Sequence, residues 1–341
     1  MRFALNSAYR RKSRKAFAYY VHFSVNLLLI IAVLGVEGCQ FDDDQAYEIR
    51  TYASFFQVQS GSGGYSICRL SEGKLEHSWN QRAGILDVEV SDAAMIDNRL
   101  WISSAIRKSI FKLSPETAVK QETFQNLPLA PHYFSVGEKQ VLLSDTTDGK
   151  LAFLRLRDGE LQEIPFQGKP GICIYNAGKF YLELDHSSIV IYDESTLSPR
   201  STIVFDLDID DIQLDSFRVV NVFGHDSIQF YKALVTGNGD YLVAPPTPTR
   251  FSKIRLSPYF SKSFGSEFRG DIGLDGVEIV HRAGEVLVDS ADNFEVDFFE
   301  GTLFYTIRST LFRFDLRERS LKDSFSFGGV LHNSFHQYST E

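Results

Sequence analysis

Eight histidines, three cysteines and 44 acidic residues make up the chain's stock of metal ligands, nucleophiles and general bases. Metal chemistry needs several such residues gathered at a ligand spacing. His132, His186, His225, His281, His332 and His336 are scattered, and no His–Glu–x–x–His or Cys–x–x–Cys run occurs. His332 and His336 stand at a spacing that suits one helix face, but the sequence around them predicts no helix. The densest carboxylate run contains Asp206, Asp208, Asp210 and Asp211. In an extended segment Asp206, Asp208 and Asp210 fall on one side and offer oxygen ligands to calcium. The run lacks the glycine and terminal glutamate of an EF-hand loop, and in so acidic a chain it reads first as a solvated turn between structural units. No Gly–x–Ser–x–Gly nucleophile elbow is present, and no carboxylate pair stands out for glycoside chemistry. The Gly-rich stretch at 61–64 is not followed by Lys–Ser/Thr, so it reads as a hairpin turn and not as a phosphate cradle. No residues are marked as catalytic, cofactor-binding or metal-binding, and no cofactor is expected.

The elements that would position any site are strands. Phe and Tyr, 29 and 15 in number, suit half-buried strands, and no long amphipathic helix appears after about residue 51. Short apolar or alternating runs such as RLWISS (99–104), VLLSD (141–145), KFYLEL (179–184) and TLFYTI (302–307) are separated by Gly, Asp, Asn and Ser. They recur as three visible strands, with units beginning near Asn98, Lys139 and Lys179, at periods of 41 and 40 residues. With one less regular strand before the three, this is the size of one β-propeller blade. A ring of blades buries sheet faces that a lone sheet leaves open, and it removes exposed edges. The expected fold is therefore all-β, a propeller of four-stranded blades. Units at 51–83, 84–127, 128–168, 169–211 and 292–328, with two more in the irregular stretch between, make seven blades. Six blades with a long insertion is the alternative count. Pro245 and Pro246 in that stretch predict a loop or strand end, since proline cannot donate to a sheet ladder.

In overall rhythm these repeats resemble the quinoprotein-like and YVTN-like propellers of exported bacterial proteins across about 280 residues. The repeated Trp–Asp, Tyr–Val–Thr–Asn and Ser–x–Asp–x–Gly–x–Thr–x–Trp signatures are absent, so the resemblance implies an architecture and no active site. A propeller enzyme of the lactonase type would need Glu, Asn and Asp converging on the central channel around a metal. Residues of these types exist, Asn98, Asp145 and Asp185 among them, each just before or at the end of a strand.

The N-terminus carries a different kind of chemistry. A basic stretch, RRKSRK at 10–15, precedes a segment free of Asp, Glu, Lys and Arg from Phe17 to Val36, whose most apolar part, Val25–Val36, has the length of a signal-peptide core. Val36–Glu37–Gly38–Cys39 follows and resembles the lipobox of bacterial lipoproteins, with Glu37 departing from the small or hydroxyl residue usual there. The resemblance implies that Cys39 is lipidated and becomes the first residue of the mature chain. An uncleaved N-terminal anchor and an incidental cysteine after a conventional signal are the alternatives, and all three place the folded part outside the cytoplasm. Gln40 is not the aspartate that retains many Gram-negative lipoproteins at the inner membrane, and the acidic run at 40–44 reads equally as a surface-export signal or as a solvated tether.

The formal charge is -9, and the first 38 residues contribute +5, so the mature part stands at about -14. Such a surface repels phosphate backbones, and nucleic acid is not an expected partner. Cys68 and Cys173 lie in strand-like segments and read as buried thiols, with a disulfide as the alternative. The expected organisation is a signal peptide (1–38), an acidic tether (39–50), the propeller (51–330) and a C-terminal tail (331–341). The expected function is a lipid-anchored binding module of the cell envelope, at the outer membrane on its periplasmic or surface face, with a protein or extracellular polymer as ligand. A metal-dependent hydrolase or lactonase using the channel is the alternative, and three inward carboxylates or amides around an ion would favour it. A broad aromatic patch at one rim would favour the binding module.

Overall fold

Alternating strands close into hairpins wherever the residues between them tolerate left-handed backbone. Glu72–Gly73, Asp97–Asn98, Ala177–Gly178 and Arg308–Ser309 each have positive φ at both positions and each form a two-residue connection between antiparallel strands. Longer turns are held by an aspartate at the strand end. Oδ1 of Asp145, Asp297 and Asp315 accepts the backbone N–H groups two and three residues on, and Asp193 does the same for Ser195.

The computed structural model describes residues 49–59, 65–77, 79, 89–227, 229–236, 242–249, 251–257, 267–273, 276–281 and 286–340. Cys39, the leader, the tether and the Gly-rich 61–64 turn lie outside these. The described residues build seven four-stranded antiparallel sheets, the blades of a propeller. Counted in chain order, the inner strands of blades 2 to 7 are Asp92–Ile96, Tyr133–Val136, Pro170–Asn176, Asp208–Leu214, Lys253–Leu256 and Asn293–Asp297. In each of these blades the second, third and outer strands follow in chain order. The units seen in the sequence begin at second strands, at Arg99, Gln140 and Lys179, so the less regular strand before each is the inner one.

Blade 1 differs. Its second, third and outer strands are Ile49–Gln59, Tyr65–Ser71 and Lys74–Glu76, and its inner strand is Val330–Thr340 from the other end of the chain. Residues 331–341, expected as a tail, are therefore mostly sheet, and the ring closes by pairing the last strand with the first. The acidic 206–211 run is also reassigned. Asp208 opens the inner strand of blade 5 and does not belong to a turn, because Leu207, Ile209 and Ile212 alternate with the acidic residues and are buried against blade 4. Pro245, Pro246 and Pro248 lie in the outer strand of blade 5, Leu242–Thr249, where one strand edge needs no donors.

Apolar side chains between adjacent blades hold the ring together. Seven buried clusters occur among the described residues, one at each blade interface. Phe55, Trp79 and Phe111 join blades 1 and 2, and Phe153, Phe180 and Tyr192 join blades 3 and 4. Phe56 meets Phe304 edge-on at 4.9 Å and closes blade 7 against blade 1. Cys68 belongs to that last cluster and Cys173 to the cluster between blades 3 and 4; no disulfide joins them.

Candidate functional site

All seven inner strands line a central cavity of about 780 Å³. An inner strand has no sheet neighbour on its channel side, so residues near its start stand next to their counterparts in adjoining blades. The first residues of these strands place Asp92, Tyr133, Lys253, Asn293 and His332 around the wall at one end.

One sector of the wall is polar, with carboxyls held above their ordinary values. Asp92 Oδ1 accepts the N–H of Ala93 at 2.8 Å and Oδ2 that of Phe134 at 3.1 Å, tying blade 2 to blade 3. Burial nevertheless outweighs these bonds and raises the Asp92 carboxyl to about 7. Tyr133 is raised first by burial and then by Asp92 and Glu183, and the Cys173 thiol is pushed up by the same three causes. Glu183 is 2% exposed; its Oε2 accepts the Ile172 N–H at 3.1 Å, and its Oε1 lies 2.7 Å from His186 Nδ1. His332 is depressed first by desolvation and then by Lys253, which leaves the imidazole neutral at physiological pH. Its ring lies 4.8 Å from that of Tyr65.

The opposite sector is an ionic network running through blades 5, 6 and 7. Lys253 Nζ donates to Glu295 Oε1 at 2.7 Å and to Asn293 Oδ1 at 2.6 Å. Arg255 Nε donates to both Glu295 oxygens at 2.9 Å, and its NH1 donates to Asp211 Oδ2 at 2.7 Å. Gln213 completes the network through Asp211, the Ile254 carbonyl and the Leu256 N–H. Burial opposes the charge on Glu295, but Arg255 and Lys253 outweigh it and hold the carboxyl below its usual value. Lys253 moves down to about 8, first through burial and then through the charge of Arg255, because one carboxylate serves two cations.

The residues proposed for a metal-centred channel lie elsewhere. Asn98 occupies a left-handed hairpin turn with φ 57° and is exposed. Asp145 is buried and holds its own turn, besides accepting the Ala130 N–H at 2.8 Å. Asp185 accepts the Lys169 N–H at 2.8 Å. None of the three lines the cavity. Asp206, just before the strand, and Asp208 and Asp210 within it are exposed, and Asp210 pairs with His225 Nδ1 at 2.8 Å. Among the described residues no three His, Cys, Asp or Glu side chains gather at a metal-binding spacing. His332 and His336 lie on one strand, where four residues span about 13 Å, too far for a shared ion. Among the described residues the large exposed apolar side chains, Tyr52, Ile106, Val119, Val204, Phe217 and Leu321, are spread over blades 1, 2, 4, 5 and 7, and form no single rim patch.

Sequence reasoning missed Asp92, Tyr133, Lys253, Arg255 and Glu295. The available signal was positional: aligning the repeats on their second strands puts Asp92, Tyr133 and Asn293 at the starts of equivalent inner strands.

No protein-family model matches this chain, and no curated protein does. Solved structures do. A quinoprotein alcohol dehydrogenase-like protein from Bacteroides thetaiotaomicron aligns with a TM-score of 0.60 and 10% identity over 84% of this chain and 79% of that one. A dihydro-heme d1 dehydrogenase aligns with a TM-score of 0.55 and 12% identity, covering 82% and 74% of the two chains. The Pan2 WD40 domain of Neurospora crassa aligns at 0.52 and 11% identity over 75% and 82%. At such identities the likeness is one of fold, and the chain carries a β-propeller domain.

Proposed function

We propose that this chain is an extracytoplasmic propeller lipoprotein, anchored through acylated Cys39, that binds a protein or polymer ligand at the channel end carrying Asp92, Tyr133 and His332. The observation that supports this is the cavity of about 780 Å³, whose wall sets near-neutral hydrogen-bonding groups opposite a self-neutralised ionic network. Such a wall offers many donors and acceptors at little electrostatic cost to an incoming polar chain, and inter-blade bonds hold its geometry. The hydrolase alternative has weaker support, because Asp145 and Asp185 are committed to turns and Asp211 to Arg255.

Site-specific photocrosslinking in the native host tests the binding site. Benzoylphenylalanine at Tyr133 should yield a discrete adduct, and the same group at Leu321, 52% exposed on an outer strand, should not. Equal adducts at both positions, or none at Tyr133, would refute the channel as the seat of binding. Mass analysis of the mature N-terminus tests the anchor. A diacylglyceryl modification on Cys39 is expected, and Cys39→Ser should release the protein from membranes. An intact first 38 residues on cytoplasmic protein would end that part of the proposal.

A further inference from the structure

Further along the same inner strands, past Lys253, Asn293 and His332, lies a second cavity of about 180 Å³ lined by Arg255, Val296, Phe298, Ser334, His336 and Tyr338, among others. Nothing in the binding reading uses it. His336 has a side chain only 7% exposed, and its ring stacks on Phe304 at a centroid distance of 5.9 Å and 20°. Its two nitrogens face different surroundings. Nδ1 points into the blade 1–blade 7 interface, 3.0 Å from Ser54 Oγ and 3.5 Å from Oδ2 of the fully buried Asp297. Nε2 lies 3.1 Å from Oγ of Ser334, which lines the cavity. Asp297 is itself held: its Oδ1 accepts the N–H groups of Phe299 and Glu300, and its Oδ2 accepts from Thr51.

A hydroxyl at hydrogen-bond distance from one imidazole nitrogen, with the other nitrogen turned toward a buried carboxylate, is the arrangement of roles that defines an activated serine on unrelated folds. The geometry points to Ser334–His336–Asp297 as a serine-nucleophile site acting on small carboxylic esters with short acyl chains. Asp297 and Ser54 are positioning residues; they orient the ring so that its Nε2 lone pair faces Ser334. The cavity admits a short acyl group against Val296, Phe298 and Tyr338, and Arg255, already paired with Glu295 and Asp211, stands on the same wall beside Glu295. In the reaction, Ser334 Oγ bonds to the ester carbonyl carbon as its proton passes to His336 Nε2, and the carbonyl oxygen takes up the negative charge. Collapse breaks the carbon–oxygen bond to the alcohol, which leaves with that proton. Water then attacks the acyl-serine with His336 as base, releasing the carboxylic acid and restoring the serine.

The test treats the detergent-solubilised full chain with a fluorophosphonate, maps the adduct by peptide mass, and follows hydrolysis of p-nitrophenyl acetate, butyrate and octanoate. The expected result is a single adduct on Ser334, with acetate and butyrate preferred over octanoate. Ser334→Ala, at a partly exposed position, should lose the adduct and lower hydrolysis on the order of 100-fold. Labelling of Ser334 should also slow on the order of 100-fold in folded His336→Gln, which a merely structural hydrogen bond would not produce. Folded protein, verified by circular dichroism, that takes up no label, or whose label maps to another serine, would overturn the assignment.

Discussion

Replacing Asp92 with asparagine should change how stability depends on pH. The Asp92 carboxyl sits at about 7 in the folded chain against 3.8 when unfolded. Between those values the folded state holds a proton that the unfolded state has released, so stability falls as pH rises through this window and levels off above it. With the 1.36 kcal/mol that accompanies each pKa unit, the loss between about pH 4.5 and about pH 8.5 comes to about 3 kcal/mol. Other groups, including Glu295 and Asp315 with their lowered carboxyls, titrate in the opposite sense, so the wild-type slope alone is not diagnostic. The difference between wild type and Asp92→Asn isolates the term. Asparagine leaves one of the two backbone donors, Ala93 or Phe134, without its acceptor, an offset of about 1–3 kcal/mol that is the same at every pH. Urea melts at five pH values should show the variant gaining about 3 kcal/mol relative to wild type from the acid end to the alkaline end. Parallel profiles, agreeing within about 0.5 kcal/mol once the constant offset is removed, would show that Asp92 is not kept protonated and would remove the near-neutral wall from the binding proposal.

Three further outcomes follow from the fold. Arg255→Leu strips the guanidinium from buried Glu295 and from Asp211, and should cost about 3–5 kcal/mol in chemical denaturation; a loss below about 1 kcal/mol would mean the network is solvated. Ending the chain at Gly329 deletes the inner strand of blade 1, including fully buried Leu331, and should abolish the cooperative thermal transition; a sharp transition in the truncated chain would contradict closure through that strand. At Gly224 a Cβ would come within 2.4 Å of the Asp208 carbonyl oxygen, so Gly224→Ala should destabilise by about 1–3 kcal/mol; an unchanged melting temperature would contradict that close approach.

Much of this architecture is written locally. The second and third strands of a blade are covered on both faces by neighbouring blades, so Leu142, Leu143, Phe153 and Leu182 produce the dense apolar runs visible in the chain. Hairpin residues such as Asp97–Asn98 separate them, and the period emerges from the two together. Ring closure was not legible in the same way. The closing strand reads HNSFHQYST over residues 332–340, and its polar residues look like a tail until Ser54, Asp297 and Glu116 are brought against them by chain separations of more than 200 residues, or 41 residues for the contact of Asp297 with Tyr338. The proposed lipidation of Cys39 is the reverse case, since it rests on residues 10–39 alone and owes nothing to the fold.

Polar residues on the inner strands of blades 5 and 6 bear on both the sequence pattern and the channel. At the interface of blades 5 and 6, Phe223, Phe251, Ile254 and Leu256 form an apolar cluster among the described residues. Beside it the inner strands carry Asp211, Gln213, Lys253 and Arg255. Their mutual bonds do the joining, and the hydrophobic alternation that marks a blade fades from the sequence. Buried ion pairs are a weaker adhesive than aliphatic packing, since desolvation offsets much of their attraction. A ring that nevertheless retains them at one sector gains a charged wall whose groups are already paired and oriented before any ligand arrives, and whose complement across the channel is nearly neutral. Asp211, Lys253 and Arg255 thus interrupt the apolar pattern along the chain and line the cavity around the ring.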